Sequence, residues 1–165
     1  MQQVSKVKIS PTGPEFSQLI QGYWRLAAWE MSPQERLTFL KQHVELGITT
    51  VDNAAIYGNS EVLFGEALKL DPTMRDHIEI ISKFGINGIA TSETEKRVSH
   101  YDSSQSLILS STENSLKRLG VEQLDCLLVH RPDFLMEVDQ IAEAFTKLQN
   151  SGKVKHFGVS NFSTS

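Results

Sequence analysis

Four apolar runs in this 165-residue chain end in a side chain that can ionise or hydrogen-bond: Thr50-Val51-Asp52, Ile78-Glu79-Ile80-Ile81-Ser82-Lys83, Leu127-Leu128-Val129-His130 and Phe157-Gly158-Val159-Ser160-Asn161. Strands buried on both faces of a parallel sheet read as short, β-rich apolar runs of this kind. In a (β/α) barrel, polar residues at the C-terminal ends of such strands converge on one mouth, however far apart they lie in sequence. The pattern therefore predicts that Asp52, Lys83, His130 and Asn161 meet.

The intervening segments support a strand-helix repeat. Val7 and Ile9 alternate with lysines before the turn cluster Pro11-Thr12-Gly13-Pro14, and Phe16 to Ile20 follows, a short hairpin expected to plug one barrel end. Gln18 to Gly22 then leads into the first barrel strand and its loop, Tyr23-Trp24-Arg25-Leu26. Ser32-Pro33-Gln34-Glu35 combines an N-cap serine, an N1 proline and a capping-box glutamate, so a helix begins there. Leu37, Leu40, Val44 and Leu46 recur at helical spacing, and Gly47 ends the segment. Helices are expected over Ser60 to Leu68, Ser104 to Leu119 and Glu137 to Asn150, with strands over Ile48 to Asp52, Ile78 to Lys83, Leu124 to His130 and Val154 to Ser160.

Asp52 and Lys83, and again His130 and Asn161, stand one βαβ unit apart. Between Lys83 and His130 the spacing is longer, and the surplus falls in the polar segment Asn87 to Ser103, a length typical of lids and binding loops. Alternation without return strands predicts a parallel sheet with its helices on one side if it curls into a barrel. No Gly-x-Gly-x-x-Gly follows any strand, so the fingerprint of a doubly wound dinucleotide-binding sheet is missing. The expected fold is α/β, one domain over residues 1–165, built as about five units of a (β/α) barrel behind an N-terminal hairpin.

Composition narrows the partners. A net charge of -4 without clustered Lys and Arg argues against nucleic acid, whose phosphates demand such clusters. No apolar stretch approaches membrane-spanning length, and Met1 to Ile9 alternates instead of forming a signal-type apolar run. The single cysteine, Cys126, lies inside the run Leu124 to His130, as a buried, reduced thiol would; a cytoplasmic location is expected. His43, His77, His100, His130 and His156 show no close pair at ligand spacing, so no metal is expected. Lys153, Lys155 and His156 precede their strand and belong to solvated surface at the end opposite the mouth.

At the mouth the residue types point to proton chemistry. Tyr57 lies in the loop after Asp52, where its phenol hangs over the strand ends. A phenol is a weak acid at neutral pH, and an adjacent ammonium favours its ionised form. Lys83 supplies such an ammonium, and Asp52 supplies the carboxylate that keeps a buried lysine charged. His130 adds a hydrogen-bonding group for the oxygen of a carbonyl substrate. Taken singly, each residue has an ordinary structural explanation as a cap, a core histidine or a packed aromatic. Their joint placement at strand ends favours the chemical one. Tyr23 and Trp24, after the first strand, are expected to wall an apolar substrate pocket.

Asp52-Asn53-Ala54-Ala55-Ile56-Tyr57-Gly58-Asn59-Ser60-Glu61 with Phe64-Gly65-Glu66-Ala67-Leu68, Tyr101-Asp102-Ser103-Ser104, Leu124 to Asp133 and Gly152 to Phe162 are together similar to the hallmark segments of the aldo-keto reductases. The chain resembles that family, and predicted bacterial oxidoreductases within it, from its first barrel strand to its last residue. The resemblance implies a (β/α)8 TIM barrel, Tyr57 as general acid, Lys83 and Asp52 as the pair that tunes it, and His130 as the group orienting the carbonyl. It also implies Ser160 and Asn161 as contacts of a nicotinamide carboxamide, NADPH as cofactor, and small aldehydes or ketones as substrates reduced by hydride transfer without a metal. Asn53 stands where Thr or His is common.

Family members continue through three further strand-helix units that carry the ring-stacking aromatic and the adenosine and 2′-phosphate contacts. With five units the barrel is incomplete, so weak or absent activity of the chain alone is expected, together with self-association through open sheet edges. Two other functions remain open: a nicotinamide-binding regulatory subunit of the same fold, and a Schiff-base aldolase acting through Lys83.

Overall fold

Two of the four α-helices among the described residues open on a serine whose side chain satisfies a free backbone N–H. In the computed structural model, which describes residues 3–88 and 99–163, helix α1 (Pro33–Glu45) opens on Ser32, whose hydroxyl accepts from the Glu35 N–H while the Glu35 carboxylate accepts from the Ser32 N–H at 2.8 Å. That is the capping box expected from the sequence, and α1 hands over to a strand through Gly47 at φ +83°. Helices α2 (Ser60–Leu70), α3 (Gln105–Leu119) and α4 (Val138–Asn150) follow; Ser104 caps α3, and Gly120, at φ +68°, ends it in a conformation that favours glycine.

Strands β1 (Lys6–Lys8) and β2 (Glu15–Ser17) form the antiparallel hairpin. The principal sheet holds β3 (Ile20–Gly22), β4 (Thr50–Asp52), β5 (Glu79–Phe84), β8 (Leu124–Val129) and β9 (Val154–Val159), all parallel and side by side in chain order. A doubly wound sheet would reverse its strand order at a switch point. None occurs in the described residues, so the arrangement is an arc of a (β/α) barrel, as expected. The short strands β6 (Ile86–Asn87) and β7 (His100–Tyr101) pair antiparallel at the two ends of the long segment read as a loop from Asn87 to Ser103. The middle of that segment lies outside the described residues.

The two faces of the sheet bury different sets of side chains. Val51, Ile80, Phe84, Leu127 and Val129 join the core beneath the helices, with Leu40, Phe64, Ile108, Leu119 and Leu148. On the other face, Phe16 of the hairpin packs against Ile81 and Cys126. The hairpin is stitched to β4 by reciprocal bonds: the Ser17 N–H donates to Thr50 Oγ1 at 2.8 Å and the Thr50 N–H to Ser17 Oγ at 2.9 Å. At this end of the sheet Asp125, buried, accepts from Arg75 at 2.8 Å, Lys155 at 2.7 Å and the Ile80 N–H at 2.9 Å. The Lys155 and Lys153 side chains keep contact with solvent, as the sequence suggested, and are ion-paired there with Asp125 and Glu113. A buried carboxylate needs compensating charge, and Lys155 lies within reach.

Helix α2 lies close against α3 at Gly65, where a Cβ would lie 2.3 Å from the Arg118 carbonyl oxygen and 2.9 Å from Leu119 backbone atoms. Backbone cannot yield as a flexible side chain does. Gly65→Ala is expected to destabilise the fold by about 1–3 kcal/mol, the range for overpacked contacts, as measured by urea unfolding. An unchanged midpoint would show that the helices separate freely.

Candidate active site

Alternation along β4 and β5 decides which side chains face the hairpin side of the sheet. Ile80, Ser82 and Phe84 point toward the helices, so Ile81 and Lys83 point the other way; the same reasoning places Val51 under the helices and Asp52 opposite. β4 and β5 are in register with Asp52 beside Ile81, which sets the Lys83 side chain one step beyond the Asp52 carboxylate. Ser82, on the helix side, donates to the buried Glu61 carboxylate at 2.6 Å, and Arg118 of α3 donates to the same group at 2.7 Å, so the strand carrying Lys83 is fixed from behind.

Lys83 Nζ donates to Asp52 Oδ1 at 2.6 Å, to the Asn53 carbonyl oxygen at 2.9 Å and to Tyr57 Oη at 3.2 Å. An ammonium has three N–H groups, and each has an acceptor here. Nζ also lies 4.8 Å from the centroid of the Tyr57 ring. Because Tyr57 Oη accepts from Lys83, the phenol's own proton is not engaged with the ammonium. The ring of His130 stands edge-on to Tyr57 with centroids 5.7 Å apart and planes at 79°. The His130 N–H is held by the Phe84 carbonyl at 3.0 Å, and its own carbonyl accepts from Asn161 Nδ2 at 3.1 Å. Asn161 Nδ2 also reaches Ser160 Oγ at 2.9 Å.

Asp52, Tyr57, Lys83 and His130 therefore lie together, with Asn161 and Ser160 next to them past the end of β9. Cys126, on the same face but deeper, has its thiol pushed up to about 12 by burial and by the Asp125 and Asp52 charges, and takes no part in the cluster. Among the described residues no group of three or more His, Cys, Asp and Glu side chains is placed to hold a metal ion, and no helix is long and apolar enough to cross a membrane.

Tyr23 departs from expectation. The sequence pairs it with Trp24 as a wall of the substrate pocket, but it is 2% exposed and packs on Phe64 and Trp29 with centroids 4.9 and 6.3 Å away. Successive residues at the end of a strand point to opposite faces, so the two neighbours do not share one wall. Burial also pushes the Tyr23 phenol up, out of any acid-base role near neutrality. Trp24 alone stands at the mouth, 66% exposed, its ring 6.3 Å from that of Tyr57 and its face covered by the Arg25 guanidinium at 5.4 Å. The contribution of Asn53, whose backbone carbonyl receives Lys83, was not read from the sequence. Backbone acceptors leave no mark on residue type, although the adjacency of Asn53 to Asp52 was available.

His130 is held neutral. Burial, then the positive charges of Lys83 and Arg131, push its imidazole down to about 4 from an ordinary value of 6.5. In the unfolded chain the ring takes a proton as pH falls through about 6.5, whereas in the folded chain it does so only near 4. Its contribution to stability is therefore complete above 6.5 and is lost progressively as pH falls toward 4. Urea midpoints measured across that interval should drop less steeply in His130→Gln than in the wild type; parallel profiles would mean that the ring is not held neutral.

Comparison with known proteins agrees with the geometry. The sequence profile described as the aldo/keto reductase family matches residues 18–165. The chain is 50% identical over 161 residues to Oxidoreductase YdhF of Escherichia coli, covering 96% of this chain and 53% of that protein. It is 47% identical over 150 residues to the uncharacterized oxidoreductase YcsN of Bacillus subtilis, covering 90% and 50%. Among solved structures, an aldo-keto reductase of Bacillus halodurans in its holo form superposes with a TM-score of 0.80 at 24% identity, over 97% of this chain and 51% of that one, a likeness of fold. The chain thus spans about half the length of these relatives. Matched by the family profile over most of its length and by relatives at up to half identity, the chain belongs to the aldo/keto reductase family of oxidoreductases.

Proposed function

We propose that this chain carries the proton-transfer half of an NADPH-dependent reduction of small aldehydes and ketones, with Tyr57 as general acid. The observation that carries the reading is the full set of acceptors around Lys83 Nζ, one of which is Tyr57 Oη. Positive charge beside the phenol stabilises the phenolate left after proton donation, and Asp52 balances that charge so that the ammonium persists in a buried place. The unengaged phenolic proton is the one available to a carbonyl oxygen. His130, neutral at physiological pH, offers that oxygen a ring N–H without competing for the Tyr57 proton.

The residues present fit a nicotinamide. His130 Nδ1 is buried without a hydrogen-bond partner among the described residues, a polar group that a ligand would satisfy. Ser160 and Asn161 would hold the carboxamide: Asn161 spends its amide N–H groups on His130 and Ser160, which leaves its side-chain carbonyl as acceptor for an amide donor. When bound, the nicotinamide supplies the hydride that reduces the carbonyl carbon. Trp24 would line the approach of the substrate.

A Schiff-base aldolase needs a lysine nitrogen with a free electron pair. Lys83 Nζ, donating to three acceptors, does not offer one. A regulatory subunit of the same fold would bind nicotinamide without turnover, so turnover by this segment joined to the remaining strand-helix units of the barrel separates the readings. With a small aromatic aldehyde, loss of nicotinamide absorbance should slow by about 10²–10⁴-fold in kcat in Tyr57→Phe, with KM little changed. A Tyr57→Phe protein that keeps wild-type kcat would overturn the assignment of the acid.

The sheet edges suggest a further property. Ile20 on β3 and Val159 on β9 are exposed at strands with one neighbour each in the described sheet. Such edges invite strand addition, so the chain should self-associate with rising concentration in sedimentation velocity. A single monomeric species at all concentrations would argue against it.

A further inference from the structure

We infer that Asn53 and Ser60 are positioning residues for Lys83: the Asn53 side-chain amide donates to the Ser60 hydroxyl, which donates to the Tyr23 carbonyl, and this chain of bonds fixes the backbone carbonyl that receives the ammonium. The inference rests on the Lys83–Tyr57 pair described above, and extends it to groups that touch neither substrate nor cofactor.

Ser60 Oγ lies 2.7 Å from the Tyr23 carbonyl oxygen and 2.8 Å from Asn53 Oδ1. A hydroxyl has one proton, so it cannot donate to both. Asn53 Nδ2, meanwhile, is buried with no partner among the described residues, although both Asn53 and Ser60 are shut off from solvent. The two ends of a side-chain amide have nearly the same shape, and hydrogen bonding decides between them. Turning the Asn53 amide over resolves both conflicts. Nδ2 then donates to Ser60 Oγ, whose single proton goes to the Tyr23 carbonyl, and only a carbonyl oxygen remains without a partner. A buried donor left unpaired is the rarer exception.

The chain of bonds spans three elements that meet at the mouth. Tyr23 follows β3, and its N–H donates to the Asp52 carbonyl at 2.9 Å. Ser60 is the first residue of α2. Asn53 follows β4, its N–H donates to the Ile81 carbonyl at 2.9 Å, and the Ala55 N–H donates to the Lys83 carbonyl at 3.1 Å. Held by backbone bonds on one side and its amide on the other, the Asn53 peptide has one orientation, with its carbonyl 2.9 Å from Lys83 Nζ. Releasing the amide would let that peptide rotate and remove one acceptor from the ammonium.

The test uses exchange of labile protons followed by NMR on the folded chain. Ser60→Ala should raise the exchange rate of the Asn53 side-chain amide protons by roughly tenfold, the scale of one net hydrogen bond. Asn53→Val should raise exchange of the Lys83 ammonium protons to a similar degree. Asn53→Thr, isosteric with the Val variant but carrying a hydroxyl donor, should exchange measurably more slowly than Asn53→Val, by up to the roughly tenfold scale of one net hydrogen bond. Lys83→Arg identifies the ammonium signal. Indistinguishable Val and Thr variants, or an Asn53 amide unaffected by Ser60→Ala, would overturn the inference. If Asn53→Val does not fold, the Ser60→Ala measurement decides alone. None of these readouts needs turnover, so failed aldehyde reduction leaves this network standing, and unchanged exchange rates leave the reductase reading intact.

Discussion

The ammonium of Lys83 is the point on which the site is organised. A lysine brought out of water loses hydration that only acceptors can replace, and the fold provides a carboxylate, a peptide carbonyl and a phenol oxygen at 2.6, 2.9 and 3.2 Å. Each acceptor comes from the strand next to Lys83 or the loop that follows it, so the geometry of the cluster depends on the register of β4 on β5. A slip of one residue would turn Asp52 or Lys83 under the helices and leave a charge among Leu40, Phe64 and Phe84. The same pairing thus serves the sheet and the chemistry.

The two ends of the sheet divide their duties. At the start of the strands, Asp125 is enclosed by Arg75, Lys155 and a backbone N–H, and the hairpin seats Phe16 on the exposed face. These contacts satisfy charge and cover apolar surface. At the far end, His130 keeps a buried ring nitrogen without a partner, and Trp24 keeps most of its surface in solvent. Polar groups are matched inside the chain at one end and left for an outside partner at the other, the division expected of a (β/α) barrel.

Much of this was legible because it is local. The Ser32-Pro33-Gln34-Glu35 box and the glycines after α1 and α3 act within one helical turn, and alternation with spacing is enough to identify five parallel strands. Asp52, Lys83 and His130 were legible as strand-end residues, and Tyr57 as part of the loop above one, since a parallel sheet aligns its C-terminal ends without further information. The 3₁₀ turns at Leu26–Trp29 and Pro72–His77 were not read, being too short for periodicity. Nor were β6 and β7, two residues each, whose pairing depends on partners distant in sequence. Tyr23 was misplaced because aromatic type does not reveal which way a side chain turns at a strand end. The role of Asn53 as an acceptor for Lys83 is not legible in the sequence because it is made through the main-chain oxygen, which every residue type carries.

The order of the strands has a kinetic consequence. Every ladder in the main sheet joins one unit to the next, as in Ile20 with Thr50, Thr50 with Glu79 and Leu124 with Val154. Most of these pairs close over little more than one helix; β5 with β8 also encloses the segment from Asn87 to Ser103, but loop entropy grows only slowly with separation. A nascent polypeptide leaving the ribosome can dock each strand on the one already formed, without waiting for distant sequence. The Lys83 cluster draws only on β4, β5 and the loop between them, so it can form before β8 and β9 dock.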